Sequence, residues 1–131
     1  MPNILFVFGT RPEAIKLLPI IEHALNNYKN KFNVKICVTG QHRHMLDQVL
    51  SCFEIQPDYD LNIMSHNQNL STITSKIITG MATIFHDYHP DCVLVHGDTT
   101  TALAASLSAY YHNIPIAHIE AGLRSYNRPL S

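Results

Sequence analysis

Three polar clusters able to do acid–base or anion chemistry stand directly after short apolar runs: "GTRPE" (9–13) after 4–8, "HGDTTTA" (96–102) after 92–95, and "EAGLRS" (120–125) after 116–119. In "GTRPE" the residue before a proline is pushed away from helical backbone, so Arg11 is expected to cap a helix that Pro12 begins. Its guanidinium would then reach an anion such as a phosphate held at the positive helix N-terminus, with Lys16 supplying a second cation one turn on. The competing role is an ordinary ion pair with Glu13 or a neighbouring carboxylate. Asp98 can serve as the N-cap of the next helix or as a reactive carboxylate, and Gly97 and Thr99-Thr100-Thr101 offer a tight turn, hydroxyls and N–H groups beside it. Glu120, at the mouth of an apolar run, would either pair with Arg124 or carry a raised pKa suited to proton transfer. A fourth stretch, "TGQHRHMLD" (39–47), presents Gln41, His42 and Arg43 where a ligand could meet a helix start; the same stretch also reads as a polar helix start with Met45, Leu46, Val49 and Leu50 facing the core.

The elements that must position these groups follow from the pattern. The runs at 4–8, 34–38, 92–95 and 116–119 are short, apolar and continuous, as strands buried on both faces are. Helical stretches are expected at about 12–28, 41–53, 70–88 and 99–112, and a weaker strand at about 60–63. Asn69 or Ser71 can cap the third helix, while His89-Pro90-Asp91 and Asn113-Ile114-Pro115 break the chain before the next strand. Pro19 should kink the first helix, and Tyr110 and Tyr111 should pack under the sheet edge. Alternating strands and helices predict an α/β fold: a Rossmann-like parallel sheet with helices on both faces. In such sheets ligands bind outside the carboxyl ends of the strands, where the strand order reverses. Arg11, Asp98 and Glu120 therefore share one edge.

Composition narrows the function. The chain has 131 residues, one domain's worth, enough to bury roughly two thirds of its unfolded surface. A net charge of −1 with 15% charged residues supplies no basic field for nucleic acid. No apolar stretch approaches the ~18 residues of a membrane span, and the N-terminus lacks a signal-peptide pattern, so a cytoplasmic protein is expected. Cys37, Cys52 and Cys92 are odd in number and unpaired in spacing, and Cys37 and Cys92 fall inside apolar strand-like runs, which suits small buried hydrophobes in a reducing compartment. The nine histidines do not fall at metal-ligand spacings, so no metal is expected. The G-x-x-x-x-G-K-[ST], G-x-G-x-x-G and G-x-S-x-G motifs are absent, against P-loop NTPases, dinucleotide-dependent dehydrogenases and α/β-hydrolases. After 116–119 the chain stops in a loop-like segment where an open sheet would continue, so a partial chain is expected.

Taken in order, "FGTRPEAIK", "TGQHRHMLDQVL", "PDYDLNIM", "VLVHGDTTTALA" and "HIEAGLRS" closely resemble the non-hydrolysing UDP-N-acetylglucosamine 2-epimerases of bacteria. The resemblance implies a two-lobed, glycosyltransferase-B-like fold of which residues 1–131 form the N-terminal lobe, the C-terminal nucleotide-binding lobe being absent. It implies interconversion of UDP-GlcNAc and UDP-ManNAc by anti elimination of UDP to a 2-acetamidoglucal and re-addition, a route that needs cations for the diphosphate, carboxylates for proton transfer and no cofactor. On this resemblance Asp98 and Glu120 are the catalytic candidates, and Arg11, Lys16 and Arg124 bind substrate. Gln41, His42 and His44 match the neighbourhood of an activating second UDP-GlcNAc site; His44 and Asn67 stand where some members have a glutamine and an arginine. The family implies a homodimer of the full-length enzyme and an inactive fragment. Two other readings fit the same residues: a hydrolysing 2-epimerase that releases ManNAc and UDP, and a non-catalytic nucleotide-sugar-binding module.

Overall fold

A computed structural model describes residues 1–40, 43–63 and 68–119. Its elements are β1 (Asn3–Phe8), α1 (Arg11–Asn27), β2 (Asn33–Val38), α2 (Arg43–Cys52), β3 (Tyr59–Asp60), α3 (Leu70–Tyr88), β4 (Cys92–His96), α4 (Thr100–Tyr111) and β5 (Ile116–Ile119). All strand pairings are parallel, in the order β3-β2-β1-β4-β5. The order reverses between β1 and β4, so the loops after those two strands flank the position where such sheets bind ligands.

β1 explains why the sheet is covered on both sides. Successive side chains of a strand point to opposite faces, and here both sets are apolar. Leu5 and Val7 join Cys37, Val93 and Val95 in a core under α3 and α4, with Ile77, Met81 and Phe85. Phe6 and Phe8 join Ile36 and Val38 under α1 and α2, with Leu17, Leu18, Ile21, Leu46 and Leu50. A one-residue register slip would exchange these two cores, and the β1–β2 register from Asn3↔Asn33 to Phe8↔Val38 excludes it. The approach of α4 is close because its buried face is made of Thr101, Ala102, Ala104, Ala105, Ser108 and Ala109.

Several expectations change. β5 is not buried on both faces: Ile116 is 37% exposed and the strand alternates exposed and half-buried residues, because it is the last strand of the sheet among the described residues. Tyr110 and Tyr111 do not pack under the sheet; they are 71% and 62% exposed, since the small residues of α4 take the inward face and the tyrosines lie outside it. Met45 is likewise exposed, because the inward face of α2 is the i, i+3, i+4 set of Leu46, Val49 and Leu50. The weak third strand is two residues, Tyr59 and Asp60. Asn69 does cap α3, its side chain accepting from the Thr72 N–H at 2.8 Å. No helix among the described residues is long and apolar enough to cross a membrane.

Candidate functional site

The site begins at the end of β1. The N-cap of α1 is Thr10, not Arg11: Thr10 has extended backbone (φ −121°, ψ 159°), and its carbonyl accepts the first helical bond from the Ala14 N–H at 3.0 Å. Arg11 is thus the first helical residue and Pro12 the second, a first-turn position at which a missing N–H costs nothing. Thr10 and Glu13 form a reciprocal capping box, in which the threonine hydroxyl accepts from the Glu13 N–H while the glutamate reaches back. The Thr-x-x-Glu spacing carries this signal in the sequence, where it competes with the reading of Glu13 as a partner for Arg11.

Glu13 does more than cap. It is 1% exposed, and its Oε1 accepts from the Gly9 N–H, the Thr10 N–H and the Thr10 hydroxyl, each at 2.9 Å. Its Oε2 accepts from the Thr99 hydroxyl at 2.7 Å, across 86 residues of sequence. The ion pair between Arg11 and Glu13 is therefore not what forms. The donors that open α1 are turned onto an internal carboxylate, so this helix start does not present a free ring of N–H groups to a phosphate as a glycine-rich loop would. What faces outward is the exposed Arg11 side chain, with no partner among the described residues. Lys16 is also exposed, but five residues at about 100° each set it roughly 140° around α1 from Arg11, so the helix does not stack the two cations.

β4 delivers the second cluster. The N-cap of α4 is Thr99, its side chain accepting from the Ala102 N–H at 3.1 Å; Asp98 lies one residue earlier, exposed in the turn that follows Gly97. Asp98 is therefore released from the capping role that would have explained it blandly. Gly97 has φ +70°, its N–H donates to the Ile119 carbonyl at 3.0 Å, and the His118 ring is hydrogen-bonded to the Gly97 carbonyl. These contacts fix the turn to the end of β5. His96, the last residue of β4, has a buried Nε2 with no hydrogen-bond partner among the described residues, a feature no spacing rule predicts. Below the edge, the Thr39 and Thr101 hydroxyls lie 3.4 Å apart, joining the end of β2 to the start of α4. β1, β2 and β4 are thus tied to one another through threonine hydroxyls at their carboxyl ends.

The β2–α2 connection is held from the other side. Arg43 forms an ion pair with Asp60 and donates to Asn62 Oδ1 at 2.9 Å, while Asp60 Oδ1 accepts from the Asn62 N–H at 2.8 Å. His44 is exposed in the first turn of α2. Gln41, His42, Asn67, Glu120 and Arg124 lie outside the described residues. No group of three or more His, Cys, Asp or Glu among the described residues could hold a metal ion. Cys37 is buried, which pushes its thiol up to about 12, whereas Cys52 is exposed. Buried thiols of this kind are packing groups, not nucleophiles.

A parallel sheet with helices on both faces and a reversal of strand order between β1 and β4 defines a class: Rossmann-like α/β proteins, in which ligands bind at the carboxyl edge of the strands. Comparison with known proteins narrows it. A family model described as UDP-N-acetylglucosamine 2-epimerase matches residues 23–130. The chain is 60% identical over 125 residues to the UDP-N-acetylglucosamine 2-epimerase of Neisseria meningitidis serogroup A, covering 95% of this chain and 33% of that protein. Among solved structures, the UDP-GlcNAc 2-epimerase of Neisseria meningitidis bound to UDP-GlcNAc matches with a TM-score of 0.84 and 59% identity, over 95% of this chain and 34% of that one. The Methanocaldococcus jannaschii UDP-GlcNAc 2-epimerase in complex with UDP-GlcNAc and UDP matches with a TM-score of 0.83 and 36% identity, over 94% and 33%. The chain belongs to the UDP-N-acetylglucosamine 2-epimerase family. It spans about a third of the length of the curated relatives it matches.

Proposed function

We propose that residues 1–131 are the N-terminal lobe of a two-lobed, non-hydrolysing UDP-N-acetylglucosamine 2-epimerase that interconverts UDP-GlcNAc and UDP-ManNAc. The observation that carries the reading is the pairing of the β1–α1 and β4–α4 loops at the switch point by the Glu13–Thr99 bond, which brings the loops of Arg11 and Asp98 to one edge in a chain of this family. C2 of the sugar is not adjacent to a carbonyl, so its proton is not acidic enough for direct removal and return. In the proposed route a carboxylate takes the C2 proton as the C1–O bond to UDP breaks, leaving a C1=C2 double bond. UDP then adds back to C1 while a proton is delivered to the opposite face of C2. Asp98 and Glu120 are the acid–base candidates; Arg11, Lys16 and Arg124 meet the departing diphosphate, whose negative charge they neutralise. Gln41, His42 and His44 belong in this reading to a second, activating UDP-GlcNAc site. No cofactor is required.

The second lobe would supply most contacts to uridine, ribose and diphosphate, so the 131-residue chain alone is expected to be inactive. The full-length enzyme is expected to be cytoplasmic and a homodimer. Incubating UDP-GlcNAc with the full-length protein and following the anomeric region by NMR tests the reaction: UDP-ManNAc supports it. Free ManNAc together with UDP would replace it by the hydrolysing reaction, and an unchanged substrate would leave only a nucleotide-sugar-binding role.

A further inference from the structure

Glu13 is a buried acidic side chain with no ion-pair partner among the described residues and no part in the proposed proton transfer. A buried carboxylate is tolerated only when hydrogen bonds satisfy it, and all the bonds here come from the two switch-point loops. Oε1 collects Gly9 and Thr10 of the β1–α1 loop; Oε2 takes Thr99 of the β4–α4 loop. Thr99 Oγ1 in turn accepts from the Ala102 N–H, so one hydroxyl both starts α4 and joins it to α1. Arg11, between Thr10 and Glu13, and Asp98, next to Thr99, have exposed side chains with no partner among the described residues. The backbone carrying each is pinned, while the side chain stays exposed.

We propose that Glu13 is a positioning residue of the strand-edge site: its carboxylate takes the place a phosphate occupies at other strand-to-helix turns and, through Thr99, fixes the Arg11 loop against the Asp98 loop. This rests on the proposed epimerase activity for its kinetic consequence, but not for its structural one. It also assigns the recognition of the diphosphate to outward side chains such as Arg11, since the inward N–H groups of Gly9 and Thr10 are already used.

The test is a double-mutant cycle in the full-length protein with Thr99→Val and Glu13→Ala, or with Glu13→Met, which fills the same space without an acceptor, should Glu13→Ala not fold; Glu13→Gln is kept for turnover. Glutamine keeps the acceptor for Gly9 and Thr10 and can donate to the Thr99 hydroxyl. Directly bonded residues couple, so the unfolding midpoint of the double variant should lie well above the additive value. Additive midpoints would overturn the clamp. In turnover, Thr99→Val should lower kcat about tenfold or more with a smaller change in KM, because small misplacements of reacting groups are costly. Thr99→Ser should restore it to within about threefold, since serine can both cap and donate. Glu13→Gln should stay active with an unshifted pH profile. A folded Thr99→Val with wild-type kcat, or loss of one limb of the profile in Glu13→Gln, would overturn the positioning role. Absence of turnover in the wild-type full-length protein would overturn the epimerase reading instead, and the stability cycle would still decide the clamp.

Discussion

Arg11 looks out of place after a buried strand until Glu13 is considered with it. The glutamate consumes the inward donors of the turn, and the arginine is left as the outward cation at the first residue of α1. If it stabilises the departing diphosphate, Arg11→Ala in the full-length enzyme should lower turnover by about 10²–10³-fold, the usual loss on removing one charge-stabilising donor. Lys16→Ala should cost less, because α1 carries that ammonium well around the helix from Arg11. Asp98→Asn removes a proton-transfer candidate without disturbing the helix start, since Thr99 holds the cap. A fall of about 10²–10⁴ in kcat, at an unfolding temperature equal to the wild type, is expected for a general acid or base. Near-normal kcat in either Arg11→Ala or Asp98→Asn would remove that residue from the site.

Among the elements, the β2–α2 connection depends on a glycine. Gly40 has φ +85°, and a Cβ built there would lie 3.0 Å from the Asn62 backbone Cα and 3.0 Å from Asp60 Oδ1. Left-handed backbone costs an L-residue about 1–2 kcal/mol, and here the added methyl also meets main chain that cannot swing aside. Gly40→Ala should therefore destabilise the protein by about 2 kcal/mol or more in urea unfolding. It should also loosen the Arg43–Asp60 pair that holds the start of α2. A change under about 0.5 kcal/mol, the size of an ordinary surface substitution, would show that this connection yields easily. At α1, removing the cap by Thr10→Ala should cost about 1 kcal/mol, with the Thr10 hydroxyl bond to Glu13 lost and the Gly9, Thr10 N–H and Thr99 bonds kept.

For the whole molecule, four groups in different elements contribute to its behaviour in alkali, among them the Cys92 thiol, which burial raises. Burial raises the Cys37 thiol to about 12. Burial, followed by the hydrogen bond to Asp87, raises Tyr59 to about 12, and burial raises Tyr88 to about 12. Each is neutral when protonated, so as pH rises the unfolded chain loses these protons first. Their contribution to stability is complete below the ordinary thiol and phenol values and is lost progressively between about 9 and 12. The thermal midpoint should therefore be flat near neutrality and fall steadily above pH 9, with the 295 nm absorbance of the late-titrating tyrosines appearing only as the fold is lost. A midpoint unchanged up to pH 11 would contradict these environments. On the scale of the reaction, the 131-residue chain mixed with UDP-GlcNAc should yield no UDP-ManNAc by NMR, while the full-length enzyme should.

Residue types and their order were enough for the alternation of strands and helices, the parallel sheet, the strand-edge location of Arg11 and Asp98, and the family, because apolar runs and turn residues act locally and leave a periodic trace. Glu120, Arg124, Gln41 and His42 were singled out in the same way, but they lie outside the described residues. Tertiary structure decided what depends on groups distant in the chain. Glu13 reads as a surface acid until Thr99, 86 residues away, donates to it. Asp98 and Arg11 read as helix caps until Thr10 and Thr99 take that role. Tyr110, Tyr111 and Met45 read as core until the small-residue face of α4 and the leucine face of α2 turn inward without them. Hydrogen-bond partners and exposure are properties of neighbours in space, and no local pattern encodes which loop will close over which carboxylate.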